Sequence, residues 1–292
     1  MSQITAADVK KLRELSGAGM MDCKKALTET AGDMDGAVDY LRKKGLSAAS
    51  KKAGRIAAEG VVVAVGEGNV GVVLEVNSET DFVSKNDQFV GFVNKLAAMI
   101  ISQNPADVAA LNAMAFDDTF TVEQALSQLI ATIGENMSIR RFVRAEVEGG
   151  TVATYVHGAG KIGVLVGFDK VVDDALARGV AMHVAAANPL FIGRSDVDAD
   201  SVERERAVLT DRAIASGKPE AIVDKIVSGQ LNKFYSDVCL LEQDFVMDTD
   251  KKVGKSLGDA TVVSMARFQL GEGLEKKAED FAAEVAAQVK GG

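Results

Sequence analysis

Gly71-Val-Val-Leu-Glu-Val76-Asn-Ser-Glu-Thr80-Asp81-Phe82-Val83-Ser-Lys85 is the stretch on which the reading of this chain turns. Its β-branched run, Val72 to Val76, predicts a buried strand that stops at Asn77. After a short polar turn, Thr80-Asp81-Phe82-Val83 leads into an amphipathic helix, Asp87 to Ile101. Phe82 is a large ring beside a carboxylate, at the point where a strand hands over to a helix. It has two readings. Either it staples the helix onto the sheet, or it stands out as an aromatic anchor aimed at a partner's pocket.

Gly66-Glu-Gly68-Asn-Val-Gly71 precedes that strand and matches G-x-G-x-x-G. A dinucleotide site needs a helix after the glycines, to hold the pyrophosphate at its N-terminus. A strand follows instead. With Val61 to Val65 before them, the glycines predict a hairpin turn. The same spacing returns in Gly158-Ala-Gly160-Lys-Ile-Gly163, between Thr151–Val156 and Val164–Phe168, and a helix over Asp174–Ala187 follows. Two strand–turn–strand–helix copies imply two related α+β subdomains with antiparallel sheets.

Residues 5–45 predict three short helices. Thr5 and Asp8 stand at capping-box spacing, and Val9, Leu12 and Leu15 form a stripe closed by Gly17. The second helix runs from Met20 to Thr30, before Gly32. The third runs from Met34 to Lys44 and ends at Gly45. Of the adjacent Met20 and Met21, at most one can serve a core, and methionine adapts to partner surfaces. Leu46 to Ala58, with Lys51, Lys52 and Arg55, reads as a basic connector.

Between the copies, Thr121-Val-Glu-Gln124 is a second capping box, opening a helix that stops at Gly134; a strand follows through Val147. Ser201 to Val238 predicts a helical hairpin about Gly217-Lys-Pro219, with Val202, Leu209 and Ala213 facing Ile222, Ile226 and Phe234. Gln243-Asp244-Phe245-Val246 echoes the central Asp-Phe-Val. Thr261–Leu270 reads as a strand broken at Gly271-Glu-Gly273. Leu274 to Lys290 reads as a last helix, striped by Phe281, Val285 and Val289.

Composition excludes several classes. No apolar run approaches the ~18 residues of a membrane span, and the N-terminus lacks a signal-peptide pattern, so a cytoplasmic protein is expected. Cys23 and Cys239 read as buried thiols. Residues 1–60 balance at +3 and the remainder at −12, a poor match to nucleic acid. His157 and His183 lie without metal-ligand partners; His183 reads as a satisfied core histidine, His157 as a rim residue. The Gly254-Lys255-Ser256 tail of a P-loop fails, because Thr249 stands where its glycine belongs. With no nucleophile or acid–base pattern present, a protein that works by binding is expected, with no cofactor and no metal.

The chain closely resembles the bacterial elongation factor Ts family, essentially end to end. The resemblance rests on Leu12-Arg13-Glu-Leu-Ser-Gly-Ala-Gly-Met20-Met21-Asp-Cys-Lys24-Lys-Ala-Leu, Thr80–Val83 and Gly134-Glu-Asn-Met-Ser-Ile-Arg-Arg141. His157-Gly158, Ile162–Val166, Ala181–Ala185, Arg267-Phe268 and Gly271–Gly273 add to it. Ser78, where many members carry cysteine, and the turn Gly158–Lys161 depart slightly. The resemblance implies a guanine nucleotide exchange factor for elongation factor Tu, not an enzyme. It implies a ubiquitin-associated-like domain over 1–55 and a core of 56–147 with 148–189 and 239–273. An inserted hairpin over 190–238, associated with self-association, and a C-terminal module over 274–292 complete it. Arg13, Met20, Met21, Lys24 and Lys52 would dock on Tu, as would Ile133 and His157. Thr80, Asp81, Phe82 and Val83 would enter near the Mg²⁺ of Tu. Tu, GDP-bound or nucleotide-free, is the implied partner, with no direct nucleic acid or membrane contact and a possible homodimer through the hairpin. The rival reading is a binding adaptor that uses its N-terminal unit alone.

Overall fold

The computed structural model describes residues 4–217 and 219–275. It is an α+β protein of two compact units. The first holds the described parts of Met1–Val61, Glu75–Phe142 and Gln269–Gly292, the second Val62–Leu74 and Val143–Phe268. The predicted last helix falls almost wholly on 276–290, outside the described residues.

The first unit opens with α1 (Ala6–Ser16), α2 (Met20–Glu29) and α3 (Met34–Lys52). Thr5 and Asp8 form the reciprocal capping box and Gly17 closes α1 in the left-handed conformation. Val9, Leu12, Cys23, Ala26, Leu27, Ala37, Val38 and Leu41 make its core, completed by Phe120. The third helix does not end at Gly45. It runs on to Lys52 and takes up much of the stretch read as a connector. Gly45 is a packing glycine rather than a stop: a Cβ there would stand 2.7 Å from Gln128 Nε2. Gln128 lies on α6 (Val122–Ile133) and donates to Leu41 O at 2.6 Å. A residue chosen for close approach looks, in sequence, like one chosen to end a helix.

Strands β1 (Glu59–Glu67), β2 (Val70–Ser78) and β3 (Met137–Glu146) form a sheet in the order β1-β2-β3. Gly68, at φ 62°, makes the turn that the dinucleotide pattern imitates. Helix α4 (Asp87–Gln103) starts at Asn86, whose side chain accepts from Gln88 and Phe89 N–H. It buries Phe89, Phe92, Val93, Leu96 and Ile100, one face of a 3.6-residue period. The short α5 (Val108–Ala113) leads to α6, which carries the second capping box, from Thr121 to Gln124.

Glu75, fully buried on β2, anchors this unit. Its carboxylate accepts from Arg140 Nη1 at 2.9 Å, Arg141 Nε at 2.7 Å and Gly271 N at 2.8 Å. Burial alone would push the Glu75 carboxyl up; the Gly271 N–H and the two guanidiniums outweigh it and hold the group below the usual range.

The second unit repeats the pattern with β4 (Thr151–His157), β5 (Ile162–Phe168), α7 (Asp174–Ala187) and β8 (Val262–Gln269). Its sheet runs β4-β5-β8, with Val156 opposite Gly163 across the antiparallel hairpin. At the junction after β5, Val171 is 82% exposed and Val172 buried. His183 is satisfied as expected: Nε2 lies 2.8 Å from Gln243 Oε1 and Nδ1 accepts from Val246 N. Burial pushes its pKa down, and the Gln243 bond only partly opposes this. The Asp-Phe-Val echo is internal, for Phe245, on β6 (Asp244–Phe245), is buried against His183. β6 pairs with β7 (Asp248–Lys252). Cys23 and Cys239 are free and buried.

Helices α8 (Ala199–Ala215) and α9 (Glu220–Val238) form the helical hairpin. Leu209 and Ala213 pack as expected, but their partners are Val223, Val227 and Leu231. Ile222 is exposed and Ile226 packs only at the margin. Val223, Val227 and Leu231 keep an unbroken i, i+4, i+8 spacing, whereas Ile222 and Ile226 would be followed on their face by Gln230. The unbroken apolar face turns inward, a rotation of one residue.

Candidate protein-docking site

The chain leaves β2 at Ser78 and enters a 3-10 turn, Asp81–Lys85, before α4 begins. Phe82 is 79% exposed; Val83, its neighbour, is 4% exposed. The staple reading is thereby assigned to Val83, and the ring stands in solvent with exposed Asp81 beside it. The turn is fixed by polar contacts at its root. Thr80 N donates to Glu135 Oε2 at 2.9 Å and Thr80 Oγ1 to Glu135 Oε1 at 2.6 Å. Ser78 Oγ donates to Thr80 O at 2.8 Å. Next to this pair, Asn136 N donates to Glu79 Oε1 at 2.6 Å, and Asn136 Nδ2 to Arg55 O at 2.8 Å. Glu79 also pairs with Arg55 at 3.3 Å. Residues 134–136 therefore hold the root of the turn and the segment that follows α3.

Residue patterns gave no sign of Glu135 or Glu79. Both carboxylates act over more than 50 residues of chain, so only the Gly134 helix stop hinted that a tight turn lay there.

Among the docking candidates, Arg13, Met20, Met21 and Lys24 come together. With Ile4, Thr5, Ala6, Val9 and Lys10 they line one groove of 640 Å³. Met20 and Met21 are 59% and 74% exposed, so neither serves the core. The result is an apolar floor with basic edges. Lys52 is half-buried at the end of α3 and does not line this groove. Ile133 is the half-buried last residue of α6, two positions before Glu135. His157, in the second unit, is exposed at the end of β4, with Nδ1 3.1 Å from Tyr155 Oη.

Among the described residues no group of three or more His, Cys, Asp or Glu is placed to hold a metal ion, and no helix is long and apolar enough to cross a membrane. What the surface offers is an exposed ring beside a carboxylate and an apolar groove rimmed by cations, features of protein recognition.

Residues 79–272 match the family model described as Elongation factor TS. The chain is 55% identical to Elongation factor Ts of Paramagnetospirillum magneticum, over 99% of this chain and 98% of that protein. It is 54% identical to that of Trichlorobacter lovleyi, over 97% and 98%. Identity to that of Syntrophotalea carbinolica is 52%, over 99% and 100%. The chain belongs to the elongation factor Ts family and is a translation elongation factor.

Proposed function

We propose that this chain is a guanine nucleotide exchange factor for elongation factor Tu, working by binding and without a chemical reaction of its own. The observation that carries the reading is Phe82, a large apolar side chain left in water by a turn braced on both sides. Free in solution, such a ring is unfavourable; seated in a partner's pocket it contributes about 1.5–3 kcal/mol. Asp81 arrives with it and disturbs the ligands of the Mg²⁺ that bridges Tu to the GDP phosphates.

Linkage sets the direction. The factor must bind nucleotide-free Tu more tightly than Tu·GDP, and GDP then weakens its binding by the same ratio. Each tenfold of coupling needs about 1.4 kcal/mol, so burying Phe82 supplies one to two powers of ten. Docking is assigned to the N-terminal module, residues 1–55, through Arg13, Met20, Met21 and Lys24, with Lys52, Ile133 and His157 as outlying contacts. The core, 56–147 with 148–189 and 239–273, carries the wedge. The hairpin, 190–238, serves self-association, and 274–292 adds a further contact to Tu. The setting is the cytoplasm, with neither nucleic acid nor membrane as a direct partner.

Mixing the protein with Tu loaded with labelled GDP tests this. Accelerated release that is lost in Phe82→Ala is expected. Unchanged release with the intact protein refutes exchange activity, and binding by residues 1–55 alone without release favours the adaptor reading.

A further inference from the structure

Thr80 occupies the N-cap position of the 3-10 turn that bears Phe82, yet its side chain does not cap that turn. Threonine in this position normally turns its hydroxyl onto the N–H groups of the helix it opens. Here the hydroxyl points away, onto Glu135 Oε1 at 2.6 Å, and the Thr80 N–H goes to Glu135 Oε2 at 2.9 Å. The Thr80 carbonyl is taken by Ser78 Oγ, which is fully buried. All three polar groups of Thr80 are therefore engaged from outside the turn. Glu135 supplies two of those bonds with both oxygens of one carboxylate, a charge-assisted arrangement that fixes direction as well as distance.

We propose that Glu135 is a positioning residue for exchange, holding Thr80 so that the Phe82 ring is presented ready-made to the partner. This inference rests on the exchange reading above. An anchor ordered beforehand loses little freedom on binding, whereas a loose one must be ordered at that moment. Val83 pins the turn downstream by burial, and Glu135 pins it upstream by hydrogen bonds. Asn136, next in the chain, binds Glu79 and Arg55, so one short loop holds the presenting turn and the segment that leads from the N-terminal helices.

The test uses the full chain with Tu·labelled GDP, measuring stimulated release against factor concentration, with amide hydrogen exchange of residues 80–85 in the free protein. Glu135→Gln keeps the shape but removes the charge and one of the two acceptor oxygens, so the charge-assisted pair of bonds to Thr80 is lost. It is expected to lower the maximal release rate about tenfold, with a smaller change in half-saturating concentration, and to speed amide exchange at 80–85. Thr80→Val removes the hydroxyl bond alone, and combined with Glu135→Gln it should be less than additive. If Phe82→Ala is impaired while Glu135→Gln releases GDP at the wild-type rate, the positioning role is overturned and the exchange reading stands. If Phe82→Ala also releases at the wild-type rate, both fall. Full additivity of the Thr80 and Glu135 changes overturns the clamp as well.

Discussion

Phe82 and Val83 are adjacent in the chain and opposite in surroundings, 79% and 4% exposed. The 3-10 turn separates them, since consecutive side chains on so tight a coil point in widely different directions. One side chain holds the structure, and the other is free of it.

That division makes the two residues separable by experiment. Phe82→Ala leaves no cavity, so its thermal midpoint should stay near that of the wild type while stimulated GDP release falls. Val83→Ala should cost about 2 kcal/mol of stability. Calorimetry beside a release assay reads both, and a strongly destabilised Phe82→Ala would return the ring to the interior.

Glu75 sets an acid limit on the first unit. Its folded pKa lies below its ordinary 4.5. The stability it contributes is therefore full above about that pH and is lost as pH falls through the lower, folded value. Glu75→Gln should remove this acid dependence and destabilise by about 3 kcal/mol, because two guanidiniums lose a buried counter-charge. Melting scans from pH 3 to 7 check it.

His183 gives the second unit a different profile. Its pKa is lowered by burial from 6.5, so the folded unit favours the neutral ring. Its stabilising effect is complete above that value and declines as pH drops from there toward the folded pKa. Amide exchange in α7 should quicken over this range in the wild type and lose that dependence in His183→Gln.

Gly45→Ala should destabilise by about 1–3 kcal/mol through overpacking. The new methyl meets Gln128 Nε2, which is tied to Leu41 O and cannot swing away without losing that bond. A gain in stability would mean the helix contact is looser than these distances.

Replacing 201–238 by a short linker should leave the second unit melting cooperatively and the whole protein still promoting release, with any dimer weakened. The hairpin has its own apolar cluster, Leu209, Ala213, Val223, Val227 and Leu231, separate from that of Val164, Val166, Phe168 and Val180. Loss of cooperative melting would show the hairpin to be integral.

Local chemistry made much of this legible from the residues. Both capping boxes, both glycine hairpins and the helix over Asp174–Ala187 depend on neighbours within a few positions, and each stands where the pattern put it. One misreading is local: Leu15, expected in the stripe of α1, is exposed, and Ser16 is buried in its place. The others lie where distant chain decides. Gly45 answers to Gln128, 83 positions away, and the inward face of α9 answers to α8. The exposure of Phe82 could be posed as a question but not decided, because its environment depends on Val83 and on Glu135, which lies 55 residues beyond the Thr80 it binds.

In the second strand–turn–strand–helix copy, the segment between β5 and α7 also sets an exposed residue beside a buried one, Val171 and Val172. A position whose neighbour carries the folding is open to change. The outward residue is a valine at one junction and a phenylalanine at the other, and in each a buried valine follows it. The junction is where this architecture can acquire a new partner without first risking its own fold.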